Sequence, residues 1–258
     1  MNYRFLFFVL IVFIDGCATL TDKLVFSENN EERKEALLSL DNVSIEEAKY
    51  VARDLKETFN VSDEKYKIRA AYGLLRIGVI MAKNGNPEEA LDYCNFIMSY
   101  GIVDSCEIKA DAFSKQVTPY FMSTLSYVLP VTAGERKTKN WILLSDFFFK
   151  YKDKYKIKMS EKQIFLIRES MALNLLDSAF KDGNVMPIYD IINNYKNTGT
   201  FKTAEKIMRI MSDEKDKNKG DETKYTLLNN NAIYDIYKKS VVEIDDIIKK
   251  TSMSLIKK

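Results

Sequence analysis

Apolar residues recur along this chain at spacings of three and four, with polar residues between them, and this pattern is typical of amphipathic helices. The first such segment, Glu28 to Leu40, begins with an acidic first turn. Ser44 and Glu47 have the spacing of a capping box, which predicts that a second helix begins there. The third segment, Glu64 to Lys83, carries so many apolar residues that we expect it to be buried on most sides.

The same helical pattern continues through the rest of the chain, with a loop at 131–138. Proline cannot donate the helix hydrogen bond, so we expect Pro119 to bend or split the helix that contains it. The segment from Ser212 to Thr223 has no apolar anchor and predicts a linker. The remaining predicted helices are Asp104–Val128, Asn140–Tyr155, a helix capped by Ser160 that runs to Phe180, Met186–Tyr195, Phe201–Met211 and Tyr225–Leu255.

The last of these helices carries an apolar stripe with spacings of three, four and seven. A stripe of this kind serves either to cap the end of a helical array or to bind a partner helix. Its residues are Tyr237, Val241, Ile244, Ile248 and Leu255.

The segment from Ala71 to Gly101 resembles one tetratricopeptide repeat. Ile77 and Gly78 stand where that family has its Leu-Gly pair, Gly85 lies in the turn between the helices, and Ala90 stands where the second helix approaches the first. A second, fainter copy of the turn runs from Gly199 to Ala204. The resemblance implies a degenerate α-solenoid, in which helix hairpins stack on their neighbours.

The sequence therefore predicts an all-α fold of antiparallel helix hairpins, stacked as an irregular solenoid similar to tetratricopeptide repeats, with a long C-terminal helix. We divide the chain into residues 1–16 as a signal peptide, 17–27 as a tether, 28–211 as a helical repeat domain, 212–223 as a charged linker and 224–258 as an amphipathic C-terminal helix.

The amino-terminal stretch has the properties of an export signal. Arg4 supplies a positive charge, and Phe5 to Ile14 is an unbroken apolar run of ten residues. A membrane-spanning helix needs about 20 apolar residues, so this run has the length of a signal peptide instead.

The residues that follow, Ile14-Asp15-Gly16-Cys17, resemble the lipobox of bacterial lipoproteins. That resemblance implies cleavage before Cys17, attachment of lipid to its sulfur and anchoring to a membrane. By the sorting rule of enteric lipoproteins, Ala18 after the cysteine implies the periplasmic side of the outer membrane if the source is Gram-negative. The alternatives are an ordinary secretory signal or an uncleaved anchor with an incidental cysteine.

The composition of the chain argues against several classes of partner and of catalytic site. Lys and Arg total 39 against 37 acidic residues, and because the two signs are interspersed we expect no nucleic-acid partner. Histidine is absent, which excludes the Ser-His-Asp and Cys-His arrangements and imidazole metal ligands. We expect no metal, no cofactor and no enzymatic activity.

Two groups of residues are candidates for a site. Tyr120, Phe121, Tyr127 and Trp141 either belong to the core or line an aromatic groove. Cys94 and Cys106 lie on either side of the turn near Gly101, so we expect them to be near neighbours. In an oxidising compartment they either close a disulfide or remain two reduced core thiols.

These features favour a lipid-anchored scaffold that is not an enzyme and that binds another envelope protein or a peptide through its helical repeats. The alternative is a helical lipoprotein that binds a small or apolar ligand in an aromatic-lined cavity for a transport system. A hydrolase that uses two carboxylates is a distant third, because histidine is not essential to that chemistry.

Overall fold

The computed structural model describes residues 20–61, 63–104, 107–182 and 231–256. Most of these residues lie in helices, which confirms the predicted all-α class. The β structure within these ranges is a single antiparallel pair, β1 (Val103–Asp104) and β2 (Glu107–Ile108). The helices are α1 (Asn30–Ser39), α2 (Ile45–Val61), α3 (Glu64–Lys83), α4 (Pro87–Ile97), α5 (Ala112–Val131), α6 (Lys139–Tyr151), α7 (Glu161–Asp182) and α8 (Asn231–Ile256).

Short helical turns join several of these elements. A 3₁₀ turn at Leu40–Asn42 follows α1, a π turn at Met98–Ile102 follows α4, and a 3₁₀ turn at Ala133–Glu135 lies between α5 and α6. Within the described ranges, no helix is both long enough and apolar enough to span a membrane.

The chain divides into two compact units. The first comprises Met1–Val128 and Asp146–Ile157, and the second comprises Leu129–Ser145 and Lys158–Lys258. The predicted linker at 212–223 and both of its boundaries lie outside the described residues, as do the predicted helices at 186–195 and 201–211.

Local capping signals set the starts of two helices as predicted. At α2, the Ser44 backbone N–H donates to Glu47 Oε2 at 2.8 Å, and the Glu47 N–H donates to Ser44 Oγ at 3.2 Å. These reciprocal bonds are those of a capping box. At α7, Ser160 and Gln163 make the equivalent pair at 2.9 and 3.3 Å.

Helix α3 is the central helix of the first unit. Its buried residues lie on most sides of the helix, as predicted, and it packs against both α2 and α4. A Cβ atom built on Gly78 would lie 3.5 Å from the Ala90 carbonyl oxygen, so these two residues lie where α3 and α4 contact each other. Each fully buried Leu or Ile side chain of α3 contributes about 1.5–3 kcal/mol of transfer free energy.

Aromatic pairs extend this core to α5 and α6 within the first unit. The Phe59 ring of α2 makes edge-to-face contacts with Phe96 of α4 at 5.2 Å and with Phe113 of α5 at 5.5 Å. Phe121 of α5 contacts Phe147 of α6 at 5.6 Å. Ring pairs of this geometry stabilise beyond their buried area by about 0.5–1.5 kcal/mol.

The helix predicted to start at Asp104 starts later, and of the two outcomes expected at Pro119 the split does not occur. The chain forms β1 and β2 instead of a helix from Asp104, and α5 begins at Ala112, where the Ser114 N–H donates to Asp111 Oδ1 at 2.7 Å. The helix also continues through Pro119 instead of splitting there. Pro119 and Lys115 are both exposed, so water can hydrate the Lys115 carbonyl that the proline leaves without a helix partner.

The amino-terminal part of the first unit differs from a simple tether. Residues 20–25 are helical, and Leu24 and Val25 are 3% and 0% exposed. A Cβ atom on Gly73 would lie 3.1 Å from Leu24 Cδ2, so Leu24 packs directly against α3. The apolar side chains in this segment thus join it to the core, and the run Leu24-Val25-Phe26 is too short to show that role in the sequence.

In the second unit, α8 packs against α7 and the 3₁₀ turn at Ala133–Glu135. Ile248 of α8 is 1% exposed and lies in one apolar cluster with Ala133, Leu166 and Leu173. Leu255 packs at the edge of that cluster. Two of the five residues of the predicted apolar stripe, Ile248 and Leu255, therefore pack inside the second unit. The side chains of Tyr237, Val241 and Ile244 are outside the described part.

Candidate interaction cleft

A cleft of about 460 Å³ opens on the surface of the first unit. Three helices line it, and they alternate along the chain: α1, α3 and α5. Helices α2 and α4, which lie between them in sequence, contribute no lining residue. The residues that line the cleft are Arg33, Glu64, Lys65, Ile68, Arg69, Tyr72, Ala112 and Gln116.

The charges of the cleft are unequal. Arg33, Lys65 and Arg69 supply three cations, and Glu64 is the single acid among the lining residues. Glu64 Oε1 accepts a hydrogen bond from the Phe113 backbone N–H at 2.9 Å, so this carboxylate also supports the start of α5. The cleft therefore presents a net positive surface.

Tyr72 fixes the α3 and α5 walls against each other. Its hydroxyl donates to the Gln116 carbonyl oxygen at 3.1 Å, and its ring meets the Tyr120 ring edge to face at 5.1 Å. Burial raises the pKa of both tyrosine hydroxyls. Both groups therefore stay neutral at physiological pH and act as hydrogen-bonding and packing groups.

The cations of the cleft bind the chain segment at residues 25–28, just before α1, and Arg69 makes most of these contacts. Arg69 Nη1 donates to the carbonyl oxygens of Val25 at 2.7 Å and Ser27 at 3.1 Å, and Arg33 Nη1 donates to the same Ser27 oxygen at 2.6 Å. These bonds fix the backbone of the segment at one rim of the cleft.

The four residues of the predicted aromatic groove differ in how far they are buried. Phe121 and Trp141 are both 0% exposed and are core residues, while Tyr120 and Tyr127 are half-buried. Trp141 Nε1 donates to the Leu129 carbonyl oxygen at 3.2 Å, which satisfies its polar group inside the second unit. Tyr120, Phe121 and Tyr127 belong to the first unit.

Of the three cysteines of the chain, Cys94 is the one that the structure describes. It is 0% exposed on α4, close to Gly78, and burial raises the pKa of its thiol to about 12. Cys106 lies outside the described residues, so the Cys94–Cys106 disulfide stays a prediction. Cys17, the predicted lipid attachment residue, and the rest of residues 1–19 are also outside them.

No group of three or more Cys, Asp or Glu side chains in the described part of the chain lies in an arrangement that could hold a metal ion. The acidic pairs along the helices are adjacent residues, which a helix turns about 100° apart.

Sequence reasoning missed the cleft, although part of it carries a signal. Lys65 and Arg69 are four residues apart, so they share one face of α3 with Tyr72. That spacing identifies one basic face. It does not reveal that Arg33 and Gln116 lie beside it, because their approach depends on how α1 and α5 pack.

No protein-family model matches the chain, and neither a curated protein nor a solved structure is significantly similar to it.

Proposed function

We propose that this protein is a membrane-anchored envelope lipoprotein that acts as a non-enzymatic scaffold, binding a segment of another protein through stacked helix hairpins. The observation that carries the proposal is the lining of the cleft by α1, α3 and α5. In a stack of helix hairpins, the first helix of each hairpin contributes to one shared face. Alternating helices around one cleft are what such a stack produces, which supports the irregular tetratricopeptide-like arrangement.

The size and chemistry of the cleft favour a peptide segment as its partner. A volume of about 460 Å³ accommodates several side chains, and the lining offers both charged groups and the apolar surfaces of Ile68 and Tyr72. The burial of Phe121 and Trp141 supports this function over a cavity for an apolar ligand, because the core of the protein already occupies the space around both rings.

Lipid at Cys17 would hold the cleft near the membrane. Leu20, the first described residue, is only three residues beyond Cys17, a distance of about 10 Å for an extended chain. Since Leu24 and Val25 are buried in the first unit, little slack remains between the anchor and the cleft. We propose that the scaffold works on partners at the membrane surface, on the periplasmic side of the outer membrane in a Gram-negative cell.

Site-specific photocrosslinking in living cells tests this function. We would place benzoylphenylalanine at Ala112, which is exposed and lines the cleft, and at Val61, which is 85% exposed and is not a lining residue. At matched expression, we expect a discrete protein adduct from Ala112 and none from Val61. The absence of an adduct from Ala112, or the same adducts from both positions, would contradict the proposal.

A further inference from the structure

Glu28 provides an internal carboxylate for the basic cleft. Lys65 Nζ donates to both of its oxygens, at 2.7 Å to Oε1 and 2.6 Å to Oε2, and Arg69 Nη2 lies 3.8 Å from Oε2. These contacts hold the pKa of the Glu28 carboxyl below its usual range, with the Lys65 hydrogen bond as the largest cause. The cleft therefore already binds one carboxylate, which belongs to the chain itself.

The ion pair between Glu28 and Lys65 is positioned to exchange the Glu28 carboxylate for another one. The Lys65 side chain is 51% exposed and that of Glu28 is 67% exposed, and ion pairs this open to water are weak. The backbone of the same segment is held separately, because Arg33 and Arg69 bind the carbonyl oxygens of Val25 and Ser27. The Glu28 side chain can thus leave Lys65 by rotation while its backbone stays in place.

We propose that the partner segment is acidic and that Glu28 is a built-in competitor, which a carboxylate of the partner displaces from Lys65. This inference rests on the proposed scaffold function and names the chemistry of its partner. Glu28 reduces the affinity of the empty cleft for acidic segments, so only a segment with several carboxylates displaces it. A single stray carboxylate gains little, since it replaces one weak pair with another.

Direct binding to a model acidic peptide tests the exchange. The probe is a fluorescein-labelled octaglutamate peptide, titrated against the full-length protein in detergent micelles at low salt and followed by fluorescence anisotropy. The variants are Glu28→Gln, Lys65→Gln and the double variant. Glu31→Gln is the matched control, because it removes the same charge from a side chain that is 76% exposed and that faces Lys34.

We expect Glu28→Gln to tighten octaglutamate binding about two- to fivefold, the range set by one exposed ion pair, and Glu31→Gln to change it much less. Lys65→Gln should weaken binding. In the Lys65→Gln background, the effect of Glu28→Gln should become smaller, and what is left comes from Arg69, which lies 3.8 Å from Glu28 Oε2.

Three results would overturn the inference. The first is equal affinity of the Glu28→Gln and Glu31→Gln variants. The second is octaglutamate binding no tighter than that of a labelled uncharged Gly-Ser octapeptide. In the third, Glu28→Gln strengthens binding to phosphatidylglycerol vesicles but not to the peptide, which would identify the cleft as a lipid site.

Different results would contradict the scaffold function and the exchange at Glu28. Crosslinking from Ala112 without any effect of Glu28→Gln would overturn the inference and leave the scaffold standing. A Glu28 effect on octaglutamate with no crosslinked partner in cells would contradict the scaffold and leave the exchange intact.

Discussion

Arg136 and Asp245 form a two-point ion pair between the turn before α6 and helix α8. Arg136 Nη1 lies 2.8 Å from Asp245 Oδ1, and Nη2 donates to Oδ2 at 3.2 Å. The Arg136 side chain is 5% exposed, and fork-like pairs between arginine and carboxylate are among the stronger charged hydrogen bonds. The pair lies beside the apolar contacts of Ile248, so charge and packing together hold α8 in the second unit.

Removing the Asp245 carboxylate should therefore destabilise the second unit. We expect Asp245→Ala to lower its free energy of unfolding by about 1–3 kcal/mol, because it leaves a buried guanidinium with fewer partners. Asp246→Ala is the control: its side chain is 56% exposed and pairs with Lys250, so we expect a change within about 0.5 kcal/mol. Urea unfolding can be followed by the fluorescence of Trp141, the single tryptophan, which is buried in the same unit. Equal midpoints for the two variants would show that the pair does not stabilise α8.

Two glycines on α3 should respond to alanine in opposite ways. A Cβ atom on Gly73 would lie 2.7 Å from Leu55 Cδ1, whereas one on Gly78 would lie in ordinary contact at 3.5 Å from the Ala90 oxygen. We expect Gly73→Ala to destabilise the protein by about 1–3 kcal/mol through overpacking. Gly78→Ala should stabilise it by up to about 1 kcal/mol, since alanine favours the helix. Thermal unfolding followed by circular dichroism measures both, and destabilisation by Gly78→Ala would show that α3 and α4 leave less room at this contact than the 3.5 Å distance indicates.

The capping box of α2 should give stability a pH dependence. The backbone hydrogen bond from Ser44, followed by the one from its side chain, lowers the pKa of the Glu47 carboxyl. Because the pKa is lower in the folded state, the contribution of this carboxylate is complete above its unfolded pKa and is lost as the pH falls through the folded value.

At pH 7 we expect Glu47→Gln to destabilise the protein by about 0.3–1 kcal/mol, because glutamine can make the same two hydrogen bonds, as Gln163 does at α7, but carries no charge. The difference from wild type should shrink as the pH falls through the lowered folded-state pKa of Glu47, and should vanish once the carboxyl is protonated in both states. Glu46→Gln, in the same first turn, controls for the helix dipole. Urea unfolding at a series of pH values gives the comparison, and a difference that does not depend on pH would contradict it.

The Cys94 thiol should be inert in the folded protein. It is fully buried and its pKa is raised to about 12, so neither access nor ionisation favours reaction. We expect no modification of Cys94 by maleimide at pH 7.5 in native protein, and rapid modification after denaturation with reductant. Peptide mass spectrometry locates the modified residue, and rapid labelling of native Cys94 would show that α4 is not packed as described.

What could be predicted from the sequence is mostly local. The reciprocal bonds of Ser44 and Glu47 lie within four residues, and the burial of α3 follows from its own apolar periodicity. Gly78 and Ala90 could also be placed at one contact, because the turn at Gly85 returns the chain upon itself within a few residues. Gly85 has φ +75°, a conformation that glycine adopts at little cost.

What the sequence could not predict depends on packing between distant segments. As an aromatic residue, Trp141 could line a groove or lie in the core. Its indole N–H donates to the Leu129 carbonyl oxygen and its side chain is buried, so it is a core residue. Leu24 and Val25 belong to an apolar run of only three residues, which is too short to show a helical period, so their burial against α3 is visible only in the fold. The cleft could not be predicted for the same reason, because its cations lie on α1 and α3 and only the packing of these helices brings them together.

Lipid attachment at Cys17 would fix both the compartment of the protein and the distance of the cleft from the membrane. Metabolic labelling with an alkyne palmitate analogue tests it in wild type, in Cys17→Ser and in Cys94→Ala as the matched cysteine control. We predict that wild type and Cys94→Ala carry the label, that Cys17→Ser does not, and that mass spectrometry finds an acylated Cys17 as the mature amino terminus. An unlabelled wild-type protein that retains residues 1–16, or is cleaved elsewhere, would contradict the membrane-anchored scaffold.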